Sequence, residues 1–499
     1  MKKSVIIIGA GLAGLAAGCY AQINGYQSHI LEHHSVPGGV AATWKRKGYT
    51  IDGGIHFVTG YKPGTALYKL FQELGIIEAN PIIEVNDYGS YIDEKRGQKF
   101  HISRDIEKLR NDLISSYPED STVINELIAG VNSLRGYDLS SWGMDKPPEL
   151  IGKTYIMRQM LAMRKVLKYF TGPFALSVEE YCRGINNNSF KNLLKSLFSP
   201  EVPVWFILML LSLLAEGQLG LLEKGCLPFV RSIEQRYHEL GGEITYNATV
   251  EKIIVEHNKA SGVMLKDETE YGADVVVSAA DGYNTIFNLL AGRYVNEPIL
   301  NRYRNWKLYN PFIMINFGID KEYEKKEPFS TVMLSSPIEL NHQKIDHFYI
   351  RNLNYSREFA PEGKTLLQVS IESEWDYWAN LRKTDQTQYN QEKMRIAEEV
   401  LKRLELYYPG IKGKTEVIDV ATPYTFWRYT FNHQGSWGGW ALTPEVTQES
   451  VFRTLPGLHN FFMAGQWVMP GGGVPACLYS GRHVVQILCA QEKRRFKTK

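Results

Sequence analysis

The apolar run Val5-Ile6-Ile7-Ile8 passes straight into Gly9-Ala10-Gly11-Leu12-Ala13-Gly14, and Glu32 follows the last of these glycines by eighteen residues. A strand that turns tightly into a helix aims free N–H groups and a positive dipole end at an anion. In such a turn Gly9 permits the reversal, Gly11 lets a phosphate approach the backbone and Gly14 lets helix and strand pack closely, with Ala10 inside the cradle. Glu32 ends a second predicted strand, Ser28-His29-Ile30-Leu31, where its carboxylate can accept hydrogen bonds from ribose hydroxyls. Glycines at this spacing also serve ordinary turns, but strand before, helix after and acid at the right distance make the pattern specific for a dinucleotide.

Near the other end stand Phe461-Phe462-Met463-Ala464-Gly465-Gln466-Trp467 and then Pro470-Gly471-Gly472-Gly473-Val474-Pro475. This reads as another strand running to another helix N-terminus, and the two stretches together point to a flavin. A rival reading of the first twenty residues is a lipoprotein signal ending at Cys19. Four glycines by position 18 suit such a helix poorly, and the strand-turn-helix pattern continues past Cys19 to Glu32.

Composition narrows the field further. At 499 residues the chain exceeds one ordinary core, so two structural units are expected. With 56 basic and 54 acidic residues the net charge is +2, which argues against nucleic acid as a partner. The five cysteines (19, 182, 226, 477 and 489) lack the spacing of a zinc site or a disulfide framework and fit a reducing compartment. No metal-ligand or serine–histidine–acid pattern is present. The longest charge-free candidate for a membrane span, Val202 to Ala215, is too short to cross a bilayer of roughly 20 residues' thickness. It reads first as a buried core helix, and otherwise as a helix that lines a lipophilic channel or dips into a membrane face.

After Glu32 come Gly38-Gly39 and then Tyr49-Thr50-Ile51-Asp52-Gly53-Gly54-Ile55-His56-Phe57. Residues 217–295 show α/β patterning: a helix over Leu227 to Leu240, strands over Glu243 to Tyr246, Ala248 to Glu256 and Gly262 to Lys266, a turn at Asn258-Lys259, and a buried strand in Gly272 to Asp281. This succession, with Gly-Tyr-x-x-Asp-x-Gly-x-His and the closing glycines, resembles the phytoene desaturase superfamily of FAD-dependent oxidoreductases. Gly54-Ile55-His56-Phe57 is most similar to its retinol saturase and carotenoid isomerase branch. The likeness covers essentially the whole chain.

The resemblance implies an α/β fold in which a Rossmann-like FAD-binding domain (1–75, 217–295 and 445–499) is interleaved with an α+β substrate domain (76–216 and 296–444). It implies that Gly38, Gly39, Gly54 and Ile55 close over the cofactor, that the backbone at Val250 meets the adenine, and that Gly465, Gln466, Gly473 and Val474 meet the flavin. The positive end of the closing helix would stabilise an anionic reduced flavin. Many superfamily members carry an acid where this chain has Gln466; its amide can still bind ribityl or phosphate oxygens.

Hydride exchange with flavin N5 would desaturate, saturate or isomerise carbon–carbon double bonds of a lipophilic polyene or isoprenoid. His56 is the first catalytic candidate, because the resemblance sets its segment against the isoalloxazine; a structural hydrogen-bonding role is the commoner use of such a histidine. Tyr424 is the second, from the stretch Thr422 to Gly439, in which Tyr424, Trp427 and Tyr429 more ordinarily shape a cavity. No second GxGxxG of similar quality appears, so the electron partner is a quinone, oxygen or a reductase. Ile151 to Phe170 carries Lys153, Arg158, Arg164, Lys165 and Lys168 and no acid among apolar residues, the composition of an interfacial helix. With the basic C-terminus it predicts a cytoplasmic protein in peripheral contact with the inner face of a membrane. The rival readings are a flavin amine oxidase and, from another class, a non-catalytic prenyl or lipid carrier of the GDP-dissociation-inhibitor type. The intact phosphate cradle argues against the carrier.

Overall fold

The computed structural model describes residues 2–140, 143–323, 327–340 and 343–499. Its first motif folds as the pattern demands: the buried strand Ser4–Ile8 leads through the glycine turn into the helix Leu12–Ile23. Ser4–Ile8 is a middle strand of a five-stranded parallel sheet, flanked by Gln27–Leu31 and then Glu243–Thr245 on one side, and by Val275–Ser278 and then Phe461–Met463 on the other. Parallel strands covered on both faces must be apolar throughout, and Ile6, Ile7, Val276 and Val277 are nearly inaccessible. Cys19 is completely buried on the first helix.

The last strand hands the chain to the closing helix Gly473–Gln491, which packs directly against Leu12–Ile23. At their crossing a side chain on Gly481 would place its Cβ 2.3 Å from the Ala13 carbonyl oxygen, so the helices touch backbone to backbone. The three-stranded sheet of Val250–Glu256, Lys259–Leu265 and Glu270–Gly272 packs beside this assembly. Its hairpin turns one residue earlier than the sequence suggests: Glu256 pairs with Lys259, and His257 and Asn258, both left-handed, form the turn.

The second large sheet has seven strands, in the order Thr415–Ala421, Phe312–Ile319, Thr365–Glu372, Lys344–Asn352, Phe329–Glu339, Asp87–Asp93 and Gln98–Ser103. All its pairings are antiparallel except that of Phe329–Glu339 with Asp87–Asp93. Alternation gives it two unlike faces. Ile313, Ile315, Phe317, Phe348, Ile350, Leu367 and Val369 point to one side, where the helices Trp375–Thr384 and Gln386–Leu404 cover them. The other side carries Asn316, Gln368 and Arg351, a polar row across three adjacent strands.

A helical region completes the molecule. Within it, Val204–Ala215 is a core helix, buried at Ile207, Leu208, Leu211 and Leu214. Among the described residues no helix is long and apolar enough to cross a membrane. The stretch Ile151 to Phe170 is not one helix. Lys153–Met163 is α-helical, and a short 3-10 turn, Leu167–Phe170, follows because Val166 and Tyr169 are drawn into the core.

Candidate flavin site

The site begins with two helix N-termini that nothing in the protein caps. Gly11 precedes Leu12–Ile23 and Gly472 precedes Gly473–Gln491; neither has a side-chain cap, and neither helix has an acid in its first turn. At the closing helix Pro475 has no N–H and the Gly472 N–H donates to the Met469 carbonyl at 3.2 Å, which leaves those of Gly473 and Val474; at the first helix the opening N–H groups need an outside partner. Space for one exists, since no atom lies within 4 Å of where a Cβ on Gly11 would stand. Gly14 shows the opposite constraint: a Cβ there would sit 1.9 Å from the Gly9 carbonyl oxygen, so only glycine allows helix and turn to meet.

Ala10 and Gly11 face Gly38, whose N–H donates to the Ala10 carbonyl at 3.0 Å, and Gly39 lies against Gly11. Glu32 is buried at the end of its strand and accepts the N–H groups of Ala10 (2.6 Å) and His34 (2.7 Å). Burial raises its pKa, with both backbone N–H groups opposing the rise. Val250 opens the adjacent strand, and the N–H of nearby Ala248 donates to the Glu32 carbonyl. On the far side the Gly465 N–H donates to Ser480 Oγ at 2.7 Å, Gln466 is half-buried against Gly439, and Gly473-Val474 begin the closing helix. Gly11, Gly38 and Gly39 thus gather at the first helix start, and Gly473 and Val474 open the second, donors of the kind that suits a pyrophosphate or an electron-rich ring.

His56 is held from both sides of its loop. Gly53 and Gly54 have no room for side chains: a Cβ on the first would strike the Trp44 ring, and one on the second would lie 2.6 Å from Ala41 Cα. The Ile55 N–H donates to Cys226 Sγ at 2.9 Å, and its carbonyl accepts from Arg351 Nη2 at 3.2 Å. Arg351 also donates to the Asp52 carbonyl and carboxylate (3.0 and 3.2 Å) and to the Tyr355 hydroxyl, while Gln368 donates to the Asp52 carbonyl. Asp52, wholly inaccessible, accepts in addition from the Cys226 N–H and Thr43 Oγ1. The polar row of the seven-stranded sheet is therefore a clasp for the histidine loop.

The His56 side chain is accessible, yet desolvation, with Arg351 adding to it, lowers its pKa to about 3. Aromatic side chains line the space beside it, the histidine hollow. Phe329 lies 6.3 Å from its ring, Tyr88 6.2 Å beyond Phe329, and Phe57 packs on Tyr88. His56 is neutral at ordinary pH, able to orient a neighbour or relay a proton through one ring nitrogen.

Tyr424 is placed elsewhere. Its ring packs with Trp375, Tyr389 and Trp427 on the helix-covered face of the seven-stranded sheet, whereas His56 faces the other. The far end of its helix, Pro423–Thr430, meets the nucleotide side, where Phe431 lies 4.4 Å from His33 and Tyr429 packs on His34. Tyr424 thus packs among aromatic rings on that face. Sequence reasoning missed Arg351, Gln368 and Cys226. A signal for the first did exist: an arginine in the apolar strand Phe348-Tyr349-Ile350-Arg351, at an alternate position from its hydrophobic neighbours.

Asp281 bridges the two units from the end of Val275–Ser278. It accepts the N–H groups of Asn284 (2.6 Å) and His433 (2.8 Å), and burial pushes its carboxyl up to about 7. The His433 ring stacks on Tyr283 at 4.2 Å.

A parallel sheet with glycine turns at both ends of the chain, interleaved with an antiparallel sheet that grips the second glycine pair, is the two-domain α/β arrangement of flavoprotein oxidoreductases. The chain belongs to the flavin containing amine oxidoreductase family, whose model matches residues 12–489. It is an oxidoreductase that works with a flavin. Among curated relatives it is similar to the chloroplastic prolycopene isomerase of Arabidopsis thaliana, 23% identical over 97% of this chain and 81% of that protein. It is likewise similar to the lycopene-forming phytoene desaturase of Pseudescherichia vulneris, 24% identical over 98% of this chain and 99% of that one. In fold it resembles an oxidoreductase from Methanosarcina mazei (TM-score 0.61, 18% identity, 97% and 100% of the two chains). It also resembles the cyclohexylamine oxidase of Brevibacterium oxydans (TM-score 0.60, 14% identity, 99% and 100%).

Proposed function

We propose that the bound flavin is FAD and that the protein desaturates, saturates or isomerises carbon–carbon double bonds of a lipophilic polyene or isoprenoid. When bound, FAD supplies the hydride acceptor and donor. The protein's own residues do the rest. The two N-termini hold the phosphates and ring edge, Glu32 takes the ribose, and the Asp52–Arg351–Gln368 clasp fixes the Ile55 peptide. His56 stays neutral in a hollow walled by Phe57, Tyr88 and Phe329.

The observation that carries this reading is the charge around the hollow. Arg351 and the wholly buried Asp52, which hold the histidine loop, are paired with each other, so that the loop offers no free carboxylate. An ammonium substrate would find no free counter-ion there, and a hydrocarbon needs none. Full-length similarity to enzymes named for carotenoid substrates supports the same reading. The amine oxidase alternative rests on the family's description and on fold likeness, and one such fold hosts many chemistries.

The test is to denature the purified protein, identify the released flavin by chromatography, and follow bleaching of the bound flavin under anaerobic conditions. FAD release is the expected result, with a carotenoid in detergent bleaching the oxidised flavin, reoxidising the chemically reduced flavin or changing its own double-bond geometry, and with no bleaching by primary amines. Bleaching by an amine alone would overturn the substrate class.

A further inference from the structure

One helix of the protein turns its apolar side outward. Lys153–Met163 buries only Met163 among its eleven residues. Tyr155, Gln159 and Met163, four residues apart, form the stripe toward the body. Away from it stand Ile156, Met157, Met160 and Leu161, 50%, 70%, 55% and 61% exposed. With Leu150 and Leu176 they make six of the eleven exposed large hydrophobic residues among those described, gathered within 27 positions of the 499. A soluble surface scatters such residues singly; a cluster marks a contact.

The charge at this place is as uneven as the apolarity. Lys153, Arg158, Arg164, Lys165 and Lys168 are all exposed, and no acid lies between Ile151 and Phe170, so this short stretch carries +5 in a chain whose total is +2. The helix is also tethered. Before it, the chain is tied to the nucleotide-binding unit by His483 Nε2 on the Met144 carbonyl at 2.6 Å, by Gln486 on the Asp145 carbonyl and by the Arg453 N–H on Glu149, while Tyr155 bonds Asp145. After it, Val166 and Tyr169 are buried in the core.

We propose that Lys153–Met163 docks the protein on an anionic lipid bilayer, its four apolar side chains entering the headgroup boundary and its lysines and arginines meeting lipid phosphates. The charge complementarity selects this occupant. A second copy of the chain would set two clusters of +5 against each other, whereas an anionic bilayer neutralises them. A row of aromatic rings runs inward from the foot of the helix: Phe170 to Trp205 (5.6 Å), Phe206 (6.2 Å), Phe198 (4.8 Å), Tyr309 (6.0 Å) and Trp437 (4.7 Å). Trp437 immediately precedes Gly438, against whose carbonyl the closing motif packs at Gly472. The docking helix is thus joined by packed aromatic rings to the closing motif, which fits the lipophilic substrate proposed above and rests on it.

The experiment is sedimentation of the full-length, flavin-loaded protein with vesicles of phosphatidylcholine alone and with about 30% phosphatidylglycerol added. The protein is expected to pellet with the anionic vesicles and to be released as salt is raised. Met157→Asp/Met160→Asp should lower partitioning about tenfold or more, and Arg158→Glu/Lys165→Glu about fivefold per charge removed, both with unchanged flavin spectrum. The charge variant leaves the apolar face intact and keeps the test decisive if the first variant folds poorly. Failure of the wild-type protein to bind either vesicle overturns the proposal, as does unchanged pelleting of both variants. A dimer in analytical ultracentrifugation that the Met157→Asp/Met160→Asp variant dissociates, without vesicle binding, assigns the face to a second copy and overturns it too. None of these readouts uses turnover, so loss of docking leaves the flavin chemistry standing and the reverse holds equally.

Discussion

The nucleotide cradle and the histidine hollow lie in one site but are built from different materials. In the cradle the contacts belong to main chain: glycines brought against carbonyl oxygens at Gly14 and Gly481, two bare helix starts, and a carboxylate that grips N–H groups. In the hollow they belong to side chains reaching across the sequence, Arg351 to Asp52 over 299 positions and Cys226 to Ile55 over 171. Main-chain geometry tolerates almost no substitution at a few positions. Side-chain geometry spreads its demands and lets partners be exchanged together. The cradle should therefore fail abruptly and the hollow by degrees.

The largest effect is expected from Gly14→Val. Its Cβ cannot coexist with the Gly9 carbonyl, so flavin per chain, read from visible absorbance, should fall about tenfold or more. Recovery of fully loaded protein would break the contrast at its strongest point. Arg351→Met comes next, because it strands the buried Asp52 carboxylate; urea unfolding should show a loss of about 3–5 kcal/mol. Adding Asp52→Asn should restore part of it, and a double variant no better than the single one would show that the clasp is not an ion pair.

A smaller and pH-dependent effect is expected at His56. Unfolded, the imidazole takes up a proton near its ordinary 6.5; folded, it stays neutral until about 3. Between those values the unfolded chain binds more protons, so His56 makes the folded protein lose stability as pH falls through that window. His56→Phe removes this loss. The variant's Tm should gain on the wild type by about 2 °C between pH 7 and pH 5, and a constant difference would place the ring in bulk water. Asp281, held up to about 7, responds in the opposite direction, and comparing the two proteins at each pH cancels it. Tyr424→Phe should matter least, leaving the rate of flavin reduction within about twofold of wild type. A tenfold loss would return Tyr424 to the reaction.

The same division explains what the sequence discloses. Gly9, Gly11, Gly14, Glu32 and the run Gly471 to Gly473 are legible because strand, turn and helix allow few other residues there. The interleaving follows once both ends are recognised as parts of one sheet. Arg351, Gln368 and Cys226 are hidden because nothing local requires them; their partners are set by how a distant sheet meets a loop. The placement of Tyr424 is hidden for a related reason, since closeness in sequence to the closing motif does not fix the face of the sheet on which a side chain lies. The stretch 151–170 was readable in composition, but not in its division, which depends on the burial of Val166 and Tyr169 against helices elsewhere in the chain.

The order of strands in the parallel sheet also sets a timetable. Its first strand leaves the ribosome with residue 8 and its last strand ends at Met463, with the second helix N-terminus at Gly473. At roughly 5–20 residues per second, on the order of a minute separates the two halves of the cradle. Once Val275–Ser278 has been made, one of its edges has no neighbouring strand until Phe461–Met463 follows, and the pyrophosphate seat has one wall until then. Loading of the cofactor is thus an event of completed chains, and a nascent chain must be kept from pairing its open edge with another.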